Sequence, residues 1–152
     1  MEKPRVFIGS SAEELSVAEA IAENLKHDCY CDIWSQGLFR PSTTTLDSLL
    51  MDLGKFDFAI FVFSANDVTN IRGDEYNSIR DNVIFETGLF IGKLGREKVF
   101  YIAPNDVEIH LPSDLIGFTP EKYDRNHPNL VASVGSSCFS IKRRIEELIV
   151  SK

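Results

Sequence analysis

The sequence predicts an α/β fold, a central parallel sheet of four or five strands with helices on both faces. Short apolar runs of strand length alternate along the chain with segments of helical periodicity, the pattern of right-handed strand–helix–strand crossovers. One run, Phe58-Ala59-Ile60-Phe61-Val62-Phe63, is apolar without alternation, as a strand covered on both faces must be. Small residues close the first strand at Gly9-Ser10-Ser11, and in open sheets of this class ligands bind beyond the carboxyl ends of the strands.

In order along the chain, Arg5-Val6-Phe7-Ile8 reads as the first strand and Gly9-Ser10-Ser11 as the tight turn out of it. Ser11 with Glu14 three residues on has the form of a capping box, and Leu15, Ala18, Ile21, Ala22 and Leu25 then recur at helical spacing. Such a turn exposes backbone N–H groups where anions bind, although it also serves as a plain strand–helix connection. Tyr30 to Trp34 is the second strand, with Cys31 and Ile33 alternating against Asp32. The Trp34–Ser42 loop carries Trp34, Leu38 and Phe39, which form a ligand wall or partner surface if exposed and plain core if folded back. A helix over Thr45 to Leu53 puts Leu46, Leu49, Leu50 and Leu53 on one face and ends at Gly54.

Asp57 to Phe63 is the central strand, and Ser64 to Ile79 reads as a long polar loop of the kind that carries function. It delivers the chain to a helix opened by Arg80-Asp81-Asn82, with Gly92 and Gly95 bracketing its end. Lys98 to Ala103 is a fourth strand, Leu111 to Gly117 a helical turn, and Phe118 to Tyr123 a short fifth strand weakened by Pro120. Asp124 to Pro128 is polar linker. An amphipathic helix from Gly135 to Val150 closes the chain, with Phe139, Ile141, Ile145, Leu148 and Ile149 apolar.

The 152 residues suit one domain over 1–152 with one real core. A net charge of -7, from 16 basic and 23 acidic residues, disfavours a nucleic-acid polymer as partner, because phosphate-backbone binding needs clustered Lys and Arg. The longest apolar run is too short to span a bilayer, and Met1-Glu2-Lys3-Pro4 leads directly into a strand without a signal peptide. A cytoplasmic protein without a membrane partner is expected. Cys29, Cys31 and Cys138 make an odd count without zinc-ligand spacing, so no metal is expected and the thiols are read as reduced.

The helix from Arg80 to Leu94 is apolar almost all round, through Val83, Ile84, Phe85, Leu89, Phe90, Ile91 and Leu94, yet Glu86 sits in its middle. A carboxylate flanked by Phe85 and Phe90 loses hydration, which raises its pKa. Asn82 lies four residues earlier on the same face. A buried charge is costly without a partner, so Glu86 is either paired, as with Arg80, or placed for chemistry. The topology gathers Gly9-Ser10-Ser11, the Trp34–Ser42 loop and the Ser64–Glu86 segment at one edge of the sheet, which raises Glu86 above a purely structural role.

Val6-Phe7-Ile8-Gly9-Ser10-Ser11, Trp34, Pro41-Ser42, the Phe58–Val62 strand, Arg80-Asp81-Asn82-Val83-Ile84-Phe85-Glu86-Thr87-Gly88-Leu89-Phe90, Gly95-Arg96-Glu97 and Leu111-Pro112-Ser113-Asp114-Leu115-Ile116-Gly117 together resemble one family. It is the bacterial TIR-like (Toll/interleukin-1 receptor-like) nucleotide-binding domains of cyclic-nucleotide-activated antiphage effectors, including TIR–STING fusions. The resemblance covers nearly the whole chain in order, and the Arg80–Glu86 segment is its specific part.

The resemblance implies a flavodoxin-like TIR fold and an NAD+ glycohydrolase, the effector of an antiphage defence system, activated by oligomerisation through TIR–TIR contacts. NAD+ is then substrate rather than cofactor. The family's catalytic glutamate falls on Glu86, and its nucleotide-contacting positions fall on Phe7, Gly9, Ser10, Ser11, Trp34, Arg80, Asn82 and, from a neighbouring loop, Asp114. A cyclic-nucleotide sensor domain, fused or separate, is the expected partner and is absent from this chain. Cleavage of the nicotinamide–ribose bond passes through an oxocarbenium-like state that one carboxylate can stabilise. Arg80 and the Ser10–Ser11 turn suit a pyrophosphate, and Trp34 or Phe7 a stacked ring. Two other readings are a non-enzymatic TIR interaction module, against which Glu86 argues, and a nucleoside deoxyribosyltransferase-like enzyme with glutamate as nucleophile.

Overall fold

The apolar runs become strands and the periodic segments helices. In chain order they are β1 (Arg5–Ser10), α1 (Leu15–Leu25), β2 (Tyr30–Ser35), α2 (Thr45–Asp52), β3 (Phe58–Val62), β4 (Asp67–Ile71), β5 (Asp74–Ser78), α3 (Asp81–Leu94), β6 (Val99–Pro104), β7 (Glu121–Tyr123), α4 (Leu130–Ser133) and α5 (Gly135–Val150). The structure, a computed structural model, describes residues 3–35, 45–65, 67–79, 81–109 and 119–150. Leu38, Phe39, Arg80, Asp114 and the Leu111–Gly117 turn lie outside them.

Five strands pair in the order β2-β1-β3-β6-β7, and every pairing is parallel. The chain moves outward from β1 to β2, then crosses back over β1 to β3. That reversal places a topological switch point between the carboxyl ends of β1 and β3.

Side chains alternate across the sheet because strand residues have a period of two. Val6, Ile8, Phe58, Ile60, Val62 and Ile102 face α1 and α5 with Val17, Ile21, Leu25, Cys138, Ile141 and Ile145. Phe7, Ala59, Phe61, Val99 and Tyr101 face the other way, with Leu49 of α2 and Val83 and Phe90 of α3. The second layer is dense in aromatic rings. Phe7 lies 4.3 Å from Phe90, 5.3 Å from Phe56 and 5.7 Å from Phe61, centroid to centroid. The pairs are tilted or edge-on, as ring quadrupoles favour.

Several expectations are corrected. Residues 64–79 are not a structureless loop, because β4 and β5 form a two-stranded antiparallel hairpin. Its turn is Arg72-Gly73, with φ of 52° and 88°. Both values are positive, as the tightest hairpin turns require. Ser11 makes no side-chain capping bond, so the capping box does not form; a short 3-10 turn over Ala12–Glu14 precedes α1 instead. Leu50 and Phe139 sit on the outer faces of α2 and α5, 50% and 58% exposed. Phe139 lies under the Arg143 guanidinium there. Cys29 and Cys138 are buried free thiols and Cys31 is half-buried. Burial pushes all three up, Cys29 to about 11 and the others to about 12, so they stay protonated at neutral pH.

Candidate functional site

Glu86 sits in the middle of α3 on its inward stripe, three residues after Val83 and four before Phe90, both fully buried. Only 4% of Glu86 is exposed. Phe85 does not flank it, being 54% exposed on the other side of the helix, so the dry surroundings come from the stripe and the aromatic layer behind it. Burial alone pushes the carboxyl up from 4.5 to about 7. Its Oε2 is buried without a hydrogen-bond partner there. Thr87 beside it is satisfied, its hydroxyl donating to the Val83 carbonyl at 2.7 Å.

Around the carboxyl ends of β1 and β2 the structure brings together most of the predicted residues it describes. Gly9 pairs with Trp34 on one side and Phe61 on the other. Trp34 packs on Phe7 at 6.1 Å, and its indole Nε1 is buried without a hydrogen-bond partner. Ser10 is 1% exposed, and its Oγ is likewise unpartnered. Ser11 is buried next to it. Asn82 is exposed at the first turn of α3, one turn ahead of Glu86.

Phe7 and Gly9 are both set into the aromatic layer. Phe7 is 1% exposed and enclosed by Phe56, Phe61, Phe90 and Trp34, so it offers no free ring face and instead supports Trp34. Gly9 is demanded by packing: a Cβ there would lie 2.8 Å from the Phe61 ring and 2.9 Å from the Phe7 ring. Arg80 and Asp114 fall outside the described residues.

Buried polar side chains are nearly always hydrogen-bonded, so the unpartnered atoms on β1, β2 and α3 are the candidate polar contacts among the described residues. Sequence reading passed over Ser64, the first polar residue beyond the central strand. It is 5% exposed and its Oγ is also unpartnered. The signal was available in the abrupt end of the apolar run Phe58–Phe63 at a switch-point strand.

The comparisons with known proteins agree with this architecture. The family described as "CAP12/Pycsar effector protein, TIR domain" matches residues 5–125. Pycsar effector protein BcPycTIR of Burkholderia cepacia is 39% identical over 150 residues, covering 97% of this chain and 49% of that protein. Pycsar effector protein XpPycTIR of Xanthomonas perforans is 46% identical over 123 residues, covering 80% and 41%. CD-NTase-associated protein 12 of a Lachnospiraceae bacterium is 38% identical over 150 residues, covering 95% and 47%. The chain thus spans about half the length of these relatives.

Among solved structures, a mutant flavo di-iron protein from Thermotoga maritima superposes with a TM-score of 0.62 at 13% identity, over 95% of this chain and 36% of that one. A flavodoxin-like domain from Synechococcus gives 0.53 at 10% identity, over 97% and 99%. These two likenesses show the flavodoxin-like fold alone. The family match and the sequence relatives go further: this chain belongs to the TIR-domain family of CAP12/Pycsar effector proteins.

Proposed function

We propose that this chain is the NAD+-cleaving domain of an antiphage effector, hydrolysing the nicotinamide–ribose bond at Glu86 and switched on by self-association. The observation that carries the reading is the Glu86 carboxyl, buried on α3 with its Oε2 unpartnered and pushed by burial to about 7. Such a group is poised for a cationic partner. The pyridinium ring of NAD+ brings positive charge, and the oxocarbenium-like ribose that follows carries it at the sugar. Both favour ionised Glu86, and in dry surroundings the attraction is strong.

In the proposed step the N-glycosidic bond breaks and its electron pair passes to the nicotinamide nitrogen, which becomes neutral. Water adds at the ribose C1′ and gives up a proton, for which the Glu86 carboxylate is a suitable acceptor. Trp34 is the candidate for stacking on a ring, and Ser10, Ser11, Arg80, Asn82 and Asp114 are candidate contacts for the rest of the nucleotide. The relatives' designation as CD-NTase-associated or Pycsar effectors supports a setting of cyclic-nucleotide signalling, with a sensor domain as fused or separate partner. No described helix is long and apolar enough to cross a membrane.

The test compares wild type and Glu86→Gln, both fused to a dimerising partner, for nicotinamide release from NAD+ over a range of protein concentrations. Wild type is expected to release nicotinamide with a steep concentration dependence, and the variant at least about a hundredfold more slowly. Equal release by both proteins removes Glu86 from the chemistry. No release by either turns the reading to a non-enzymatic interaction module, and base exchange on a deoxynucleoside turns it to a deoxyribosyltransferase.

A further inference from the structure

On the α2–α3 side of the sheet, the Trp34 indole Nε1 and the Glu86 Oε2 are both buried and unpartnered among the described residues. The indole N–H can only donate, and the carboxylate can only accept. One ring contact relates their positions. Phe7 of β1 and Phe90 of α3 lie 4.3 Å apart, centroid to centroid. Two residues beyond Phe7 comes Gly9, about 7 Å nearer the carboxyl edge. Trp34 is level with Gly9 on the neighbouring strand. Helix α3 connects the parallel strands β3 and β6, so it runs back from the carboxyl edge to the amino edge. Four residues before Phe90 comes Glu86, about 6 Å nearer the carboxyl edge. Helical side chains also tilt toward the helix N-terminus, which carries the carboxyl further that way.

The two groups are therefore displaced in the same direction, by the same amount, from residues in contact. Trp34 packs against the cluster that holds Val83 and Phe90, the residues flanking Glu86 on its stripe. Gly9, between them in the sheet, contributes no side chain to the gap. Trp34 rests on Phe7 at 6.1 Å, which holds the indole in place and leaves its N–H edge for another contact. Donor and acceptor thus share one layer and one level without bonding to each other.

The group that completes this pair must accept from the indole and donate to the carboxylate. A hydroxyl does both at once. A phosphate oxygen would meet Glu86 as a like charge, and a stacked ring alone leaves both atoms without a bond. From this geometry we infer that Trp34 Nε1–H and Glu86 Oε2 hold between them one ring hydroxyl of the ribose whose glycosidic bond is cleaved. The inference rests on the NAD+ reading above and deepens it. Trp34 acts through its N–H and not only through its ring, and the contact favours ribose over a sugar that lacks this hydroxyl. The hydroxyl's own bond to an ionised carboxylate is of the stronger, charge-assisted kind.

ADP-ribose keeps this ribose and lacks nicotinamide, so its binding reports the contact apart from bond cleavage. ADP-ribose and its 2″-deoxy and 3″-deoxy forms are titrated calorimetrically into wild type, Trp34→Phe, and protein whose tryptophan is replaced biosynthetically by benzothienylalanine. That analogue keeps the shape of the ring and carries sulfur in place of the N–H. Trp34 is the sole tryptophan, so the replacement touches one site. Both altered proteins are expected to bind ADP-ribose about fivefold more weakly than wild type. With the deoxy form that lacks the held hydroxyl, wild type itself binds about tenfold more weakly, and the altered proteins lose nothing further. With the other deoxy form they lose the same factor as with ADP-ribose. Thermal melts confirm folding, and the isosteric analogue carries the test if Trp34→Phe does not fold.

ADP-ribose binding unchanged in both altered proteins overturns the N–H contact while leaving the NAD+ reading standing. A loss that persists with both deoxy forms makes Trp34 a packing or stacking residue and overturns the inference in the same way. Failure of wild type to bind ADP-ribose overturns the inference together with the reading beneath it.

Discussion

The two edges of the sheet handle polar groups in opposite ways. At the amino edge they are exposed and paired. The Arg5 backbone N–H donates to Asp57 at 2.9 Å, the Arg5 side chain meets Asp32, and Lys142 meets Asp28 at 3.4 Å. At the carboxyl edge an exposed pair, Asp106–Arg125, also forms, but among the described residues Ser10, Trp34, Ser64 and Glu86 each keep a buried polar atom without a partner. Folding alone favours the first arrangement, since unpartnered burial costs about 1–3 kcal/mol per group. Strain of the second kind is kept where a ligand completes the hydrogen bonds.

The comparison breaks most visibly at Glu86, beyond the loss of activity expected for Glu86→Gln. An acid whose pKa is raised in the folded state is neutral in both states below its unfolded value, so no penalty acts there. As pH rises from about 4.5 through about 7, the unfolded chain ionises first, and stability falls. The full penalty, present above about pH 7, is on the order of 3 kcal/mol. Glu86→Gln cannot ionise and escapes it. Denaturant melts of both proteins at pH 4.5 and pH 8 should show the variant gaining about 3 kcal/mol relative to wild type between the two. A constant difference across that range would mean that Glu86 is hydrated or paired in solution.

Gly9 tests the packing that supports this edge. A Cβ would sit 2.8–2.9 Å from the Phe61 and Phe7 rings, which are themselves locked against Phe90 and Phe56. Neither ring has room to retreat, so Gly9→Ala should destabilise by about 1–3 kcal/mol, measured by urea denaturation. It should also weaken nucleotide binding, because Trp34 rests on the displaced Phe7. A stable variant with wild-type binding would show that the aromatic layer adapts.

These outcomes also show where sequence is informative. The central strand and the last helix were legible because an unbroken apolar run and a clean helical period each admit one reading. Burial of Glu86 was legible from its apolar helix. The exposure of Phe85 was not, since adjacent helical residues point about 100° apart and the inward stripe is set by tertiary packing. The β4–β5 hairpin was missed because its strands are rich in Asp, Asn, Thr and Ser, and its Arg72-Gly73 turn lacks the Asn-Gly signature. The need for Gly9 was hidden for another reason: it arises from Phe61, 52 positions away, and appears only once β1 and β3 are in register.

The smallest effect belongs to the amino edge and gives the comparison its control. Arg5 and Asp32 are 41% and 50% exposed, so water screens their attraction and replaces either partner when the other is removed. Asp32→Asn should therefore cost less than about 1 kcal/mol, with a loss that shrinks further in high salt. Nicotinamide release and ADP-ribose binding should be unchanged, because Asp32 is exposed and pairs at the amino edge rather than with the unpartnered groups at the carboxyl ends. A loss of several kcal/mol would show that exposure does not distinguish the two edges energetically. A loss of activity at full stability would mean that the paired edge also reaches the site, and the division of the sheet into a structural edge and a functional one would fail.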